Sequence, residues 1–336
     1  MAFILNRQII GGIVPALLTL SILVEICFAK NVPAIFVFGD SLVDVGNNNY
    51  ILSLAKANYI PNGIDFGMAT GRFTNGRTTE FGVKDYLPPY LAPTTAGSVI
   101  LQGVNYASAG GGILNYTGKI LGDRINMDAQ IDNFANSRQD IISNIGAPAA
   151  LTLLGKAIFF VMMGSNDFIN NYLTPVISAA EQKLITPEVF VGTMISRFKL
   201  QLTRLYNLGA RKIIVVNVGP IGCIPYLRDT NPAAGDNDCV SLANQLAQLF
   251  NAELKSLTMD LSANLQESKF AYADFYRIVE DILQNYISYV CSDRSKYVFW
   301  DMAHPTEAAN FLIARRLIDG DTNDITPINL RQFARL

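Results

Sequence analysis

The chain has 336 residues, of which 50% are hydrophobic and 16% are charged, and its formal net charge is -2 at pH 7. This composition excludes a disordered chain, and the charge provides no basic field for nucleic acid or an anionic membrane. The length suffices for one large α/β domain or two small ones.

The first 29 residues are predicted to be a secretory signal peptide. Arg7 supplies a positive start, and residues 9–22 are apolar apart from small residues and one proline. In Cys27-Phe28-Ala29, small residues stand at the positions that a signal peptidase reads. A membrane anchor is the alternative, but the stretch is short for a bilayer span, and Pro15 and Glu25 interrupt it. We therefore expect a secreted, extracellular protein without an integral membrane anchor.

Residues 30–336 contain no internal repeat, linker or low-complexity tract, and they are predicted to form one domain. Short apolar runs predict buried parallel strands at residues 34–38, 157–163, 212–218 and 269–273. Between them, helical periodicity covers residues 195–205 and 242–265, and a further helix is expected from Pro305 to Gly320. Strands that alternate with helices predict a parallel sheet with right-handed crossovers.

Small or polar residues follow each predicted strand. They are Gly39-Asp40-Ser41, Gly164-Ser165-Asn166-Asp167, Gly219-Pro220-Ile221-Gly222 and Asp274. Turns are generally rich in such residues, which explains any one of these segments but explains the whole set less well. Because sites in parallel sheets form beyond the carboxyl ends of the strands, these segments together predict a functional site at this edge of the sheet. Asp274 itself is interpreted as a structural residue.

His304 is the one histidine of the chain. A histidine that transfers protons near neutral pH must therefore be this one, and a zinc enzyme, which usually needs two or more, is disfavoured. Asp301 ends an apolar run three residues earlier, so a tight turn can bring its carboxylate to the imidazole. The alternative is that a lone histidine is a structural or surface residue.

Ser41 follows Gly39, which allows the backbone to turn sharply after the first strand. The position fits a nucleophile and equally the N-cap of a following helix. The Gly-x-Ser-x-Gly elbow of another ester hydrolase fold is absent, because Val43 is not glycine. Asp40 and Asp44 flank Ser41 like the carboxylate pair of a glycosidase, but we interpret them as turn and cap residues.

Five ordered segments resemble the GDSL esterase/lipase family within the SGNH hydrolases, most closely its secreted plant branch. They are residues 36–49 around Gly39-Asp40-Ser41-Leu42, and residues 103–112, 163–168, 218–223 and 301–306. The likeness extends from about Pro33 to about Arg316. It implies a flavodoxin-like three-layer α/β/α sandwich with a central parallel sheet, and a carboxylic ester hydrolase that requires no metal or organic cofactor.

The resemblance also implies the roles of individual residues. Ser41 would be the nucleophile of a triad with Asp301 and His304. The backbone N–H of Ser41, the N–H of Gly110 and the side-chain amide of Asn166 would form the oxyanion hole, with the choice among the glycines at 110–112 left open. The substrate would be a small-molecule or polymeric ester: a lipid acyl ester, a cutin-type polyester and an acetylated cell-wall sugar all fit. The sequence leaves the oligomeric state open.

Secretion makes disulfides and glycans possible. Once residues 1–29 are removed, three cysteines remain, and Cys223 and Cys239, which flank a turn-rich stretch, form the favoured pair. Closing that short loop would stabilise the fold by roughly 3 kcal/mol in the chain-entropy model. Asn115 belongs to the sequon Asn115-Tyr116-Thr117 and is predicted to carry an N-linked glycan.

Compared with the secreted plant branch, a cysteine-rich block of a few dozen residues is missing between Tyr289 and Val290, and Cys291 is predicted to have lost its partner. The gap precedes Asp301 and His304, so a catalytically impaired secreted binding or structural protein is the alternative function. The connection from Tyr289 to Asp301 can still span up to roughly 40 Å, which does not forbid assembly. We favour the enzyme because all five segments keep their polar residues.

Overall fold

The structure, a computed structural model, describes residues 32–79, 87–174, 185–231, 239–285 and 297–336. The predicted signal peptide, Cys291 and the predicted gap between Tyr289 and Val290 lie outside these residues. Within the described ranges, no helix combines the length and the apolar composition that crossing a membrane requires.

A central sheet of six strands forms in the described ranges, in the order β2-β1-β3-β4-β5-β6. The first five strands are parallel and follow the flavodoxin-like order 2-1-3-4-5, whereas the last pairs antiparallel with β5. The four predicted strands are present, and two short edge strands, β2 and β6, were not predicted. The strands are β1 (Ile35–Gly39), β2 (Gly103–Asn105), β3 (Ile158–Met162), β4 (Lys212–Val216), β5 (Lys269–Ala273) and β6 (Ile325–Thr326).

Helices cover both faces of this sheet. They are α1 (Met127–Ile145), α2 (Ala147–Lys156), α3 (Pro187–Asn207), α4 (Pro225–Thr230), α5 (Ser241–Asn264), α6 (Phe275–Asn285), α7 (Glu307–Asp319) and α8 (Leu330–Phe333). Helices α1, α2, α3 and α5 share one core with the sheet, and α6, α7 and α8 share a second core on its other face. The predicted three-layer α/β/α architecture is therefore confirmed.

Alternation along β1 sends side chains into both cores. Phe36 and Phe38 enter the first core, and Ile35 and Val37 enter the second. Phe134 of α1 packs against Phe36 and Phe38, with ring centroids 5.3 and 5.9 Å away. A fully buried Phe contributes about 1.5–3 kcal/mol through the hydrophobic effect. The end of β1, which carries the Asp40-Ser41 turn, is therefore anchored in both layers.

The chain after β1 turns without forming a helix. The backbone N–H groups of Val43 and Asp44 both donate to the Asp40 carbonyl, at 3.2 and 3.0 Å. Residues 41–43 form a turn and no helix begins there, so the alternative role of Ser41 as the N-cap of a helix is wrong. The helix expected from Pro305 is present as α7, but its N-cap is Thr306, whose Oγ1 accepts from the backbone N–H of Ala309 at 3.2 Å.

Candidate active site

Ser41, His304 and Asp301 form a continuous hydrogen-bonded chain, although Ser41 and His304 are 263 positions apart. His304 Nε2 lies 2.8 Å from Ser41 Oγ. His304 Nδ1 lies 2.7 and 2.8 Å from the two carboxylate oxygens of Asp301. When Nδ1 carries the proton, it donates to Asp301, and Nε2 accepts from the Ser41 hydroxyl. That tautomer is the one that can remove a proton from the serine.

A tight backbone turn joins Asp301 to His304. The N–H of Trp300 donates to the His304 carbonyl at 2.7 Å, and Phe299 forms an isolated antiparallel bridge with Pro305. Asp301 Oδ1 also accepts from the backbone N–H of His304 at 2.8 Å. The turn therefore positions the carboxylate and the imidazole relative to each other before either meets Ser41.

The carboxylate of Asp301 is held in its ionised form. Burial favours the neutral form, but the hydrogen bond and the charge of His304 outweigh it. The backbone N–H groups of Ala303 and His304 act in the same direction, and the pKa of Asp301 lies below its usual range as a result. Asp301 is therefore an anion at neutral pH and can stabilise an imidazolium beside it.

Distant segments also hold the Asp301–His304 turn. Trp300 Nε1 donates to Asn62 Oδ1 at 2.9 Å, and the N–H of Tyr226 donates to the Met302 carbonyl at 2.8 Å. The ring of Phe73 packs on the imidazole of His304 with a centroid distance of 4.7 Å. Nothing in the sequence pattern pointed to Phe73, because its role depends on a contact that is remote along the chain.

Gln130 fixes the backbone just before Ser41. This side chain is fully buried, accepts from the N–H of Gly39 at 2.9 Å and donates to the carbonyl of Gly39 at 2.8 Å. A Cβ at Gly39 would lie 2.6 Å from the Met162 carbonyl, so glycine is needed there. The sequence reasoning missed Gln130. The available signal was a polar residue on the buried face of α1, between Met127 and Ile131.

The three consecutive glycines differ in what their N–H groups contact. Gly111 donates to the Ser108 carbonyl at 3.0 Å, and Gly112 donates to Asn126 Oδ1 at 2.9 Å. The N–H of Gly110 has no acceptor among the described residues, and Gly110 lines the same cavity as Ser41. Of the three, Gly110 is therefore the residue able to donate to a group bound in the cavity.

Asn166 presents its amide to the same cavity. Its Nδ2 donates to the Gly111 carbonyl at 3.0 Å, and its Oδ1 accepts from Asn170 Nδ2 at 2.6 Å. These contacts orient the amide and leave one Nδ2 hydrogen for a ligand. The backbone N–H of Ser41, like that of Gly110, donates to no acceptor in the described part of the chain. The sequence reasoning did not identify Asn170 as a partner of Asn166.

Buried polar side chains hold the segment that leads to Gly110. Asp44 Oδ2 accepts from the N–H of Ala109 at 3.1 Å, and Asn48 Nδ2 donates to the Ala109 carbonyl at 3.0 Å. Asn47 Nδ2 donates to the Asn105 and Ala107 carbonyls, each at 2.9 Å. These contacts give a physical reason for the asparagines that follow Gly46. They also show that Asp44 is structural and does not face Asp40 as a paired carboxylate.

Asp167 holds the other end of this loop. Its carboxylate accepts from the N–H groups of Ile113 and Leu114 at 2.9 and 3.0 Å, and from Thr117 Oγ1 at 2.7 Å. Burial raises its pKa to about 6, although these donors oppose the rise. With Asp44 and Asn48 at the near end and Asp167 at the far end, the Gly110 loop is fixed before any ligand arrives.

Asp40 is a buried carboxylate in the cavity wall, next to Ser41. Its Oδ1 accepts from the N–H of Leu42 at 3.1 Å, as expected of a turn residue. Burial raises its pKa to about 7, while the Leu42 hydrogen bond and a positive charge on His304 oppose the rise.

One cavity of about 370 Å³ runs from Ser41 along the carboxyl edge of the sheet. Its lining includes Asn166 after β3 and Ile221 after β4, together with Val279 of α6 and Ile313 of α7. The Asp301–His304 turn lines its outer side. Most lining side chains are apolar: Leu42, Ala55, Phe73, Leu121, Ile169, Ile221, Ile224, Phe275, Val279, Ile282, Val298, Phe299, Met302, Ala303, Ala309 and Ile313.

The remaining predicted residues lie away from Ser41. Cys223 and Cys239 are joined by a disulfide. Asn115 is exposed, but the sequon residue Thr117 is fully buried, with its hydroxyl bonded to Asp167. Asp274 Oδ1 accepts from Asn217 Nδ2 at 2.9 Å at the end of β5, a structural contact.

The profile of the family described as GDSL-like Lipase/Acylhydrolase matches residues 35–317. The chain belongs to this family. Several Arabidopsis thaliana GDSL esterase/lipases are similar to it over most of both chains. At4g16230 is 60% identical, covering 93% of this chain and 94% of that protein, and At3g50400 is 47% identical, covering 88% and 90%. This GDSL family member is therefore a hydrolase that acts on carboxylic ester bonds.

The GDSL relatives also bear on chain length. The alignment with At4g16230 is 346 residues long, although it covers 93% of this 336-residue chain. The alignment with At3g50400 is 336 residues long and covers 88%. Each alignment thus contains positions that the relative has and this chain lacks. The location of the missing block between Tyr289 and Val290 stays a prediction.

Proposed function

We propose that this chain is a secreted serine hydrolase that cleaves acyl esters with Ser41 as nucleophile, His304 as general base and Asp301 as its partner. The observation that carries the proposal is the hydrogen-bonded chain from Ser41 Oγ through both nitrogens of His304 to the Asp301 carboxylate. The missing block motivated the alternative of an impaired binding protein. The hydrogen bonds that join Ser41, His304 and Asp301, together with the cavity beside Ser41, favour an active enzyme over the impaired binding protein.

Acylation begins when His304 Nε2 takes the hydroxyl proton of Ser41 as Oγ attacks the ester carbonyl carbon. The imidazolium that forms is stabilised by the Asp301 anion at Nδ1. When the tetrahedral intermediate collapses, Nε2 returns the proton to the leaving alkoxide, and an alcohol departs. Water then enters, His304 removes one of its protons, and attack on the acyl-serine releases the carboxylic acid and restores Ser41.

The developing oxyanion would be met by the N–H groups of Ser41 and Gly110 and by Asn166 Nδ2. Removing one such donor typically lowers the rate by about 10²–10³, because fixed donors cost no reorganisation during the reaction. The contacts of Asp44 and Asp167 on either side of Gly110 support this role. They hold the donor loop in one arrangement in the absence of substrate.

The lining of the cavity favours an ester with an apolar acyl chain. From Ile221 onward the wall towards α6 and α7 is built of aliphatic and aromatic side chains such as Phe275, Val279 and Ile313. The volume of about 370 Å³ falls in the range of small-molecule sites. The hydroxyl groups of an acetylated sugar would be left without partners on such a wall, at a cost in free energy. We therefore favour a lipid-type acyl ester.

Secretion follows from the predicted signal peptide at residues 1–29, and the Cys223–Cys239 disulfide suits an oxidising compartment. A glycan on Asn115 would have to be attached before this loop folds, because the Thr117 hydroxyl is buried against Asp167 in the folded protein. Exposed Asn115 would then carry the glycan without disturbing the core.

Hydrolysis of p-nitrophenyl butyrate by the secreted protein tests this function. Ser41→Ala is expected to abolish turnover. Ser165→Ala is the matched control, because Ser165 lines the same cavity without contacting His304, and it is expected to retain turnover. A folded wild-type protein without hydrolysis, or undiminished hydrolysis by Ser41→Ala, would contradict the proposal.

A further inference from the structure

Exposed large apolar side chains are concentrated in one segment near the cavity. Of the twenty such side chains in the described residues, seven lie between Tyr50 and Met68. Leu52 and Leu54 are 85% and 80% exposed. Single exposed apolar residues are ordinary on a protein surface, whereas a contiguous group marks a surface that contacts something apolar.

Backbone pairing places this segment at the cavity. The N–H of Leu54 donates to the Leu121 carbonyl at 2.8 Å. Leu121 lines the cavity, and so does Ala55, which follows Leu54. Ile120, which precedes Leu121, is 61% exposed. The exposed side chains of Leu54 and Ile120 therefore adjoin two residues of the cavity wall.

These side chains are exposed although their backbone is held in place. Asn48 Nδ2 donates to the Ala55 carbonyl at 2.8 Å, and the N–H of Ala55 donates to Ser53 Oγ at 3.1 Å. A second backbone bond, from the N–H of Asp123 to the Leu52 carbonyl at 2.9 Å, closes the pairing. The side chain of Leu52 is thus presented to solvent by a fixed segment.

A second part of the chain also brings exposed apolar residues to the cavity. Met302 belongs to the Asp301–His304 turn, lines the cavity and is largely exposed. The segment that carries exposed Tyr59 and Ile60 is tied to this turn by the hydrogen bond from Trp300 to Asn62. Exposed apolar side chains at the cavity thus come from the Asp301–His304 turn as well as from the segment that pairs with Leu121.

The charge of this surface restricts its partner. Residues 47–64 contain one charged side chain, Lys56. Attraction to an anionic membrane needs a cluster of lysines or arginines, which this segment does not have. The rings of Tyr50 and Tyr59 combine an apolar body with a polar tip, which suits a boundary between water and an apolar phase. A neutral apolar surface fits these features.

We propose that Leu52, Leu54, Tyr59, Ile60, Ile120 and Met302, which we call the apolar rim, seat the protein on the surface of an aggregated neutral ester lipid. The proposal rests on the esterase function proposed for Ser41. Insertion of the apolar rim would bring the cavity against the lipid phase. An acyl chain could then pass from the lipid into the cavity without crossing water. The transfer is favourable because water leaves the apolar surfaces that come into contact.

The test compares two triple variants of the full secreted protein. The rim variant is Leu52→Ser/Leu54→Ser/Ile120→Ser. The control variant is Leu151→Ser/Leu200→Ser/Met259→Ser, which removes three comparably exposed side chains from α2, α3 and α5, none of which lines the cavity. Each protein is floated with a triolein emulsion, and its hydrolysis of emulsified tributyrin and of dissolved p-nitrophenyl acetate is measured.

The rim variant is expected to lose at least about tenfold in emulsion binding and in tributyrin hydrolysis, because it lacks three of the six apolar side chains that transfer into lipid. Its hydrolysis of dissolved p-nitrophenyl acetate should stay at the wild-type level, and the control variant should match wild type throughout. Emulsion binding by the rim variant equal to that of wild type would overturn the proposal. Stronger wild-type binding to phosphatidylserine vesicles than to triolein would also overturn it.

Flotation of Ser41→Ala separates this proposal from the esterase proposal. Binding to triolein requires no turnover, so Ser41→Ala is expected to float as wild type does. If the wild type floats through the apolar rim but hydrolyses no ester, the proposed function fails and the surface stands. If it hydrolyses dissolved ester but does not float, the surface fails and the function stands.

Discussion

Gln130 and Gly39 exchange two hydrogen bonds, one from the N–H of Gly39 to Oε1 at 2.9 Å and one from Nε2 to the Gly39 carbonyl at 2.8 Å. A side chain on α1 thereby takes the place of a backbone partner at the end of β1. Gln130 lies 91 residues after Gly39 in the sequence. Because Gly39 is two residues from Ser41, the position of the serine depends on a side chain of this distant helix.

Gln130→Leu should therefore weaken both stability and catalysis. The substitution leaves the N–H of Gly39 buried without a partner, which costs about 1–3 kcal/mol. The carbonyl of Gly39 loses one of its two donors and keeps the N–H of Ser108 at 3.1 Å. We expect a lower free energy of unfolding in urea and a lower kcat, because the Ser41 turn loses its support. Gln139→Leu, on the exposed side of the same helix, is the control. Unchanged kcat in a destabilised Gln130→Leu protein would contradict the positioning role.

The amide of Asn166 is expected to act mainly in the transition state. Asn166→Ala should lower kcat by about 10²–10³ with little change in KM, as for other single oxyanion donors. Asn170→Ala should cause a smaller loss, because Asn170 orients the amide without facing the oxyanion. Steady-state kinetics with p-nitrophenyl butyrate measure both. A KM effect with normal kcat in Asn166→Ala would indicate ground-state binding and contradict the assignment.

Buried carboxylates make stability depend on pH. Burial raises the pKa of Asp40 from 3.8 to about 7, so between these values the folded protein binds more protons than the unfolded chain. The free energy of unfolding must then fall as the pH rises through this window, and Asp44 and Asp167 act in the same direction. We expect the free energy of unfolding of Asp40→Asn to fall less over this pH range than that of wild type.

Urea unfolding at pH 5 and pH 8 measures this effect. Asn at position 40 can still accept from the N–H of Leu42, so the turn should persist. Asp229→Asn, an exposed carboxylate after β4, serves as the control and should leave the pH dependence as it is in wild type. If the free energy of unfolding of Asp40→Asn falls between pH 5 and pH 8 as much as that of wild type, Asp40 is not the cause of the pH dependence.

The far end of the cavity should set the preferred acyl length. Ile313 of α7 lines the cavity nine residues after His304. We expect Ile313→Phe to shift the optimum in a series of p-nitrophenyl acyl esters to shorter chains, and Ile313→Ala to longer ones. One methylene in an apolar pocket is worth about 1–3 kcal/mol in discrimination. Leu312→Phe, on the exposed side of α7, should leave the optimum in place. An unshifted optimum in both Ile313 variants would place the acyl chain elsewhere.

The apolar runs of the sequence predicted the four long strands because a parallel strand covered on both faces has no polar positions. They could not predict β2, since Gly103-Val104-Asn105 has no such run and is a strand only because Ile35 to Val37 pair with it. The two residues of β6 likewise form a strand only through their pairing with β5. Short edge strands depend on contacts remote in sequence.

The site residues also divide into those that local sequence can indicate and those that depend on contacts remote in sequence. Ser41 could be located from the end of a predicted strand, and His304 because it is the one histidine of the sequence and follows Asp301 by three residues. The family resemblance supplied their roles. Gln130, Asn170 and Phe73 could not be found by spacing, because each acts through a contact with a residue on another element. Gln130 left one local trace, a polar residue on the mainly apolar buried face of α1.

Covalent trapping of the acyl-enzyme tests the central claim most directly. The protein is mixed with p-nitrophenyl butyrate, quenched in acid within the burst phase, digested and examined by peptide mass spectrometry. We predict a butyryl group on the peptide that contains Ser41, and none in His304→Ala under the same conditions, since the hydroxyl is then not activated. Hydrolysis that proceeds without any acyl group on Ser41, or with the acyl group on another residue, would contradict the account.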